Sequence, residues 1–250
     1  MNRTSVALQL YTVRDETARD FAGTLRRVAE MGYSAVEFAG YGGLTSAQMA
    51  SLLSETGLQA TSTHVGLANM EQDLEQAITY CLDIGCPFLV MPSLAPELRN
   101  AEGMRTLAPR FNEIGRRCRE RGVTFVYHNH AFEFAQSNGA YLLDILLNET
   151  DPALVTLELD VYWAAYAGVD PITYLHTRPG RVPLVHLKDM TPQRTFTEVG
   201  DGTLDIQGII EAAQQVGTQW YVVENDAPVI PSLESARRSR ENLHTLLART

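Results

Sequence analysis

The chain has 250 residues, 45% apolar and 20% charged, with a formal net charge of −10. Those proportions belong to a folded, water-soluble protein, long enough for one large α/β barrel or two small domains, and exclude a disordered chain. The acidic balance argues against a general nucleic-acid-binding surface, which needs clustered Lys and Arg, and no apolar run approaches the ~20 residues of a membrane helix.

From the N-terminus, the strand candidates are "SVALQLYT", "AVEFAG", "LQATSTHV", "PFLVMPS", "VTFVYHN", "VTLELDVYW", "VPLVHLKD" and "QWYVVEND". Segments with helical periodicity lie between them, clearest at 20–31, 46–56, 74–84 and 104–121. Gly32, Gly57, Gly85, Gly122 and Gly217 stand where a helix C-terminus favours glycine. A strand–helix repeat of about 30 residues suits parallel strands, because these need right-handed crossover helices. Eight such units predict a single-domain (β/α)8 barrel over residues 1–250. An open doubly wound sheet would carry a glycine-rich phosphate turn after an early strand. Here "QLYTVRDE" holds no glycine, and "EFAGYGG" reads as a flexible loop.

Cys81, Cys86 and Cys118 fit no zinc or redox spacing and read as reduced packing residues. The opening "MNRTSVALQLYTVRDE" lacks a long apolar stretch and a small-residue cleavage site, so the expected location is the cytoplasm.

In a barrel the active site forms at the C-terminal rim of the strands, above an interior packed with branched side chains. Glu37, His64, His128, His130, Asp160, His186, Lys188, Glu224 and Asp226 all fall at or just past the C-terminal part of a predicted strand. A single carboxylate there usually caps the next helix, as Asp170 is expected to do before "PITYL". Polar groups converging from most of the strands are costly to bury without a task or a cation to satisfy them. Glu133, Asp160, His186 and Glu224 offer three carboxylates and one imidazole. That hard set suits Mn2+, Mg2+ or Co2+, with Zn2+ less favoured. A divalent cation in a dry mouth can hold two adjacent sugar oxygens and stabilise an enediolate as a Lewis acid. Flanking carboxylates can then move a proton off one carbon and return it to the same or a neighbouring one.

"QLYTVRD", "STHVGL", "YHNHAFEF", "LDVYW" and "HLKD", followed by "VGDGTLD" and "VVEND", resemble the sugar phosphate isomerase/epimerase family of the xylose-isomerase-like TIM-barrel superfamily. The resemblance spans nearly the whole chain with the motifs in order. It implies one divalent metal ion, Mn2+ favoured, held by a Glu, an Asp, a His and a second Glu from the later strands. Asp160, His186 and Glu224 match the last three ligands, with 26 residues from Asp160 to His186 as in ketose epimerases. The first ligand departs from the pattern. Epimerases present a Glu at the end of the fifth strand, where this chain has "YHNH" and the nearest carboxylate is Glu133. Either Glu133 completes the site or His128 or His130 does; Glu133 is the preferred reading.

The resemblance then implies Glu133, Glu224 and His128 as catalytic groups, with His64, His130, Trp163, Lys188 and Glu37 facing a small carbohydrate substrate. Plainer readings stand beside these. His128 or His130 would bond loop backbone if the strand stops at Tyr127, Glu37 would be a rim acceptor, and Lys188 would pair with Asp189 or with a loop carboxylate. Trp163 replaces an epimerase histidine and is a stacking platform or lid packing. His176 and His244 belong to outer helices. Gly200 and Gly202 around Asp201 form a loop able to cradle phosphate, but Asp201 would repel it, which favours an unphosphorylated sugar. The expected function is isomerisation or epimerisation of a small ketose. The competitor is a lyase or dehydratase acting on a keto-sugar or 3-keto-glycoside, and a non-catalytic sugar-binding module follows if the metal site is degenerate. DNA repair of the endonuclease IV type is rejected, because that chemistry uses a trinuclear zinc site with more histidines and a duplex-binding surface suits a net charge of −10 badly. Relatives form dimers or tetramers, so a homo-oligomer is admitted, although no exposed apolar stretch marks an interface.

Overall fold

The computed structural model describes residues 5–248. Eight parallel strands close a barrel: β1 (Ser5–Gln9), β2 (Ala35–Phe38), β3 (Gln59–His64), β4 (Phe88–Met91), β5 (Thr124–His128), β6 (Val155–Asp160), β7 (Leu184–Leu187) and β8 (Trp220–Val223). Each pairs with its neighbours in sequence, and β8 closes onto β1 with Ser5 opposite Trp220 and Leu8 opposite Val223. The (β/α)8 reading of the repeat holds. Two-residue ladders add only local hairpins, Gln136–Ser137 with Ala140–Tyr141 and Asp189–Met190 with Phe196–Thr197.

The helices start and stop where local chemistry directs. Thr45 and Gln48 form a reciprocal cap on Ser46–Thr56, and Asn100 caps Ala101–Glu120 by accepting from Gly103 N–H. Gly57 ends the first of these with φ +71°, a left-handed conformation that side chains with a Cβ resist. The helix expected at 74–84 begins earlier, at Leu67, because Asp73 breaks the backbone (φ −156°) and two helical pieces run on as Leu67–Asp83. Gly115 lets Ala101–Glu120 lie close on the barrel, since a Cβ there would come within 2.2 Å of the Leu154 carbonyl oxygen. Cys81, Cys86 and Cys118 are free and buried, as packing residues should be.

Strand alternation puts every second side chain inside. The closed end is plugged by Trp220 against Ala7, Ala35 and Val222 on one side and Phe88, Val90, Val126 and Leu184 on the other. Above that plug the interior is not branched and apolar, as a barrel core usually is. Gln9, Glu37, Ser62 and Glu158 are buried there within the strands. Burying carboxylates one layer below the rim is tolerable only because each meets several polar partners. Among the described residues, no helix is long and apolar enough to cross a membrane.

Candidate active site

The mouth is a pocket of about 570 Å3 at the C-terminal ends of the strands, and His64, His128, His130, Trp163, Lys188 and Glu224 line it together with Tyr11, Phe196 and Asp226. β5 ends at His128, and His130 nevertheless stays at the mouth, its ring 5.1 Å from that of His128 and 5.7 Å from that of Trp163. Asn129, between the two histidines, ties the ends of β5 and β6 by accepting from Asp160 N–H at 3.0 Å. Trp163 belongs to an aromatic wall with Tyr162 and Phe196, and its ring lies 5.8 Å from the Lys188 ammonium. His176 and His244 are exposed on outer helices. Asp170 caps Pro171–His176 through Ile172 and Thr173 N–H.

Asp160, His186 and Glu224 converge. Asp160 Oδ2, His186 Nδ1 and Glu224 Oε2 all lie within 4.8 Å of one another. Asp160 divides its work: Oδ1 caps the short helix Val161–Tyr166 by accepting from Trp163 N–H at 3.0 Å, leaving Oδ2, buried behind the pocket lining, facing Lys188 Nζ. The plain reading of a strand-end carboxylate and the ligand reading thus use one oxygen each. Lys188 is 2% exposed, and its Nζ stands 2.9 Å from Asp160, 2.8 Å from Glu224 and 3.0 Å from Asp226. Of the plain alternatives, the loop carboxylate holds, as Asp226, and the Asp189 pairing does not. Burial works against the ammonium, but these carboxylates hold its pKa far above the usual lysine range. Burial would raise Glu224 too, yet Lys188 and His186 keep its carboxyl well below the usual value, so it is ionised at neutral pH.

A divalent cation is what the resemblance implies here, and the residues fit it. The donor set is two carboxylate oxygens and one imidazole nitrogen. Asp160 Oδ2 is buried without a hydrogen-bond partner and faces the Lys188 ammonium at 2.9 Å, with the His128 and His186 rings farther off at 3.8 and 3.9 Å. Three carboxyl groups crowd one ammonium in a buried space, an acid-rich setting that favours a divalent ion.

Glu133 does not join them. It is fully buried, and its two oxygens accept from Tyr127 Oη at 2.7 Å and His130 N–H at 2.8 Å. Burial raises its pKa from the ordinary 4.5 to about 7, against the pull of those two donors. A carboxyl raised in this way binds more protons folded than unfolded between the two values, so it lowers stability as pH climbs through that window. Glu133→Gln removes the titration. The variant's unfolding free energy relative to wild type should therefore improve from pH 5 to pH 8 in urea melts. A difference that stays constant with pH would mean that Glu133 does not titrate in this range.

The carboxylate that takes a central place is Glu158. Its Oε2 lies 3.0 Å from His64 Nε2, 3.0 Å from His128 Nδ1 and 3.2 Å from His186 Nε2. Glu37 is equally buried, below the pocket lining, and takes Gln9 Nε2 at 2.6 Å, Ser62 Oγ at 2.5 Å and His186 Nε2 at 2.7 Å. Glu158, Gln9, Ser62 and Asn129 went unnoticed in the sequence. For Glu158 there was a signal: it stands two residues before Asp160 on one strand, so both face the same way. The opposite outcome holds for "GDGTLD". Its backbone donors at Gly200, Gly202 and Leu204 are already taken by the buried Asp189 carboxylate, at 2.9, 3.0 and 3.2 Å. The cradle holds the chain's own carboxylate where a phosphate was considered.

Comparison with known proteins identifies the family and the fold. A family model described as xylose isomerase-like TIM barrel matches residues 25–246. The chain is 26% identical over 267 residues to the inosose dehydratase of Geobacillus kaustophilus, covering 89% of this chain and 86% of that one. A solved sugar phosphate isomerase/epimerase from Parabacteroides distasonis superposes with a TM-score of 0.84 at 26% identity, covering 97% and 94% of the two chains. D-allulose 3-epimerase from Methylomonas sp., solved with D-allulose, superposes at 0.77 over 97% of each chain, but at 15% identity it speaks for the fold alone.

Proposed function

Because the chain belongs to the xylose isomerase-like TIM barrel family and carries the acids of its pocket on one wall, we propose that it is a metal-dependent lyase acting on a polyhydroxylated ketone. The observation that carries this reading is the distribution of groups around the pocket. Its carboxylates are Glu224 and Asp226, both just past β8, while β5 contributes the imidazoles of His128 and His130. Epimerisation removes a proton from one face of a carbon and returns one to the other, which calls for acids on both sides. Glu133, the residue expected to serve opposite Glu224, is bound to Tyr127 and His130 instead.

A cation held by Asp160, His186 and Glu224, with Mn2+ the favoured ion, would polarise the substrate carbonyl as a Lewis acid. The remaining work falls to side chains. Glu224, ionised beside Lys188, takes the proton from the carbon next to the carbonyl. The C–H electron pair becomes a C=C bond, the C–O bond at the following carbon breaks, and the departing oxygen receives the proton from Glu224. Water or an alcohol leaves and the carboxylate is restored. The neutral imidazole of His130 (pKa lowered to about 4 by burial and Lys188) hydrogen-bonds hydroxyls, and the Trp163 wall carries the ring face.

The substrate class is an unphosphorylated keto-sugar or keto-cyclitol, such as the inosose of the dehydratase relatives, or a 3-keto-glycoside with its leaving group two carbons from the ketone carbon. The Asp189-filled loop and the acid-tied lysine leave no ready phosphate site. The free, buried cysteines accord with a cytoplasmic location. Epimerisation is the second reading, favoured by the likeness to the Parabacteroides distasonis isomerase/epimerase. The Mn2+-loaded protein incubated in D2O with a keto-inositol and with a methyl 3-keto-glucoside separates them by NMR. The expected product has lost water or methanol. Recovery of deuterated, epimerised substrate with nothing eliminated would overturn the lyase reading.

A further inference from the structure

We infer that the barrel holds a second, nitrogen-rich divalent metal site one layer below the mouth, built from His64, His128, Glu158 and His186 and suited to Zn2+. The four ligand atoms, three ring nitrogens and one carboxylate oxygen, lie within 4.8 Å of one another. They come from β3, β5, β6 and β7, so the barrel itself fixes their spacing. Three imidazoles and one carboxylate form the four-coordinate N/O set that Zn2+ takes readily, whereas the Asp160–His186–Glu224 group is harder and richer in oxygen.

A plain hydrogen-bond network accounts poorly for this cluster. Three ring nitrogens crowd Glu158 Oε2 at 3.0, 3.0 and 3.2 Å, while a carboxylate oxygen has about two lone pairs to offer. Glu158 Oε1, fully buried, has no hydrogen-bond partner at all. Donors that served only to satisfy the carboxylate would be shared between its oxygens. Convergence on one side, with the other oxygen left bare, is how ligands gather around an ion. The ring centroids stand 4.6 to 5.6 Å apart, so protonating all three imidazoles would set like charges against one another. No Lys or Arg among the described residues pairs with Glu158 or with Glu37 beside it. The two buried acids therefore depend on imidazoles alone for positive charge, His64 and His186 Nε2 each touching both of them. His186 faces both groups, Nε2 toward Glu158 at 3.2 Å and Glu37 at 2.7 Å and Nδ1 toward Glu224 at 2.9 Å, and one imidazole would link the two ions.

The inference stands apart from the elimination reading and is tested by binding alone. The full-length protein, stripped with chelator and titrated with Zn2+, should take up two equivalents per chain, and X-ray absorption should show more than one imidazole per zinc on average. His64→Asn and His128→Asn should each lose one equivalent, while Asp160→Asn should keep the imidazole-rich ion. A wild-type chain binding no more than one Zn2+ overturns the inference whether or not any variant folds. So do two equivalents that survive both histidine substitutions, or absorption spectra with one imidazole or fewer per zinc. Loss of the Asp160-dependent ion alone would count against the proposed function and leave this site standing.

Discussion

Glu224→Gln should lower kcat/KM by about 10²–10⁴-fold, the usual contribution of a positioned general base, and leave the barrel folded. The side chain stands just past β8, with Oε2 at 2.8 Å from Lys188 and 2.9 Å from His186. Glutamine keeps the volume and one acceptor oxygen for Lys188 but cannot take a proton from carbon. Because Lys188 and His186 hold the wild-type carboxyl well below its usual pKa, the base form is present throughout the neutral range. The activity of the wild type should therefore not fall between pH 7 and pH 5 on account of this residue. Two readouts separate a chemical role from a structural one. The variant should lose exchange of the substrate proton with D2O while still folded, its thermal midpoint falling only by the stability that the depressed carboxyl contributes. Asp226→Asn serves as the neighbouring control: Asp226 shares Lys188 but, raised to about 7 by burial and Glu224, is a partly protonated group. If Glu224→Gln retained exchange and turnover, the base would have to be sought elsewhere.

The fold was legible because it is written in period and punctuation. Apolar runs of strand length alternate with helical segments, and glycines after those segments take the left-handed turn, Gly32, Gly85, Gly122 and Gly217 all with positive φ. The rim was legible for a related reason: Asp160, His186, Lys188 and Glu224 sit where strands end, and parallel strands all end at the same rim. What escaped lies one layer lower. Glu158 stands inside a strand whose other residues read as core, so its charge passes for an exposed position in an alternating pattern. Only the closed barrel turns that face inward, against three imidazoles. Gln9, Glu37 and Ser62 come together across β1, β2 and β3 by register, with Gln9 opposite Glu37 and Glu37 opposite Ser62, and register is not encoded in any one segment. Glu133 shows a different limit. Its distance from β5 suits a ligand, but a tight 3-10 turn at Phe132–Phe134 aims it back at Tyr127 and the His130 amide. Loop direction depends on partners far along the chain, as with the Asp189 carboxylate that fills "GDGTLD".

Lys188→Met should destabilise the metal-free protein by about 3–5 kcal/mol near pH 7, the range for removing one partner from a buried ionic cluster. Methionine fills much of the lysine stem's volume, so the loss is electrostatic. Without the ammonium, Asp160, Glu224 and Asp226 would face one another with only His186 to offset them; in wild type each lies within 3.0 Å of Nζ. The pH dependence then differs between the proteins, although in wild type Asp226, raised to about 7, already costs some stability as pH rises. In wild type the depressed Glu224 carboxyl contributes stability that is present above its unfolded pKa of ~4.3 and is lost as pH falls through the folded value. In the variant the same carboxyls are pushed up, bind extra protons in the folded state, and make stability fall as pH rises above ~4–5. Urea melts from pH 5 to pH 8 should accordingly show the gap between variant and wild type widening with pH. Mn2+ should narrow it. Nζ and a cation compete for Asp160 Oδ2 and Glu224 Oε2, so removing the ammonium tightens cation binding, and stabilisation by a ligand grows with the ratio of its concentration to Kd. A variant as stable as wild type at every pH, with the same Mn2+-induced shift in Tm, would show that Lys188 is not what neutralises this rim.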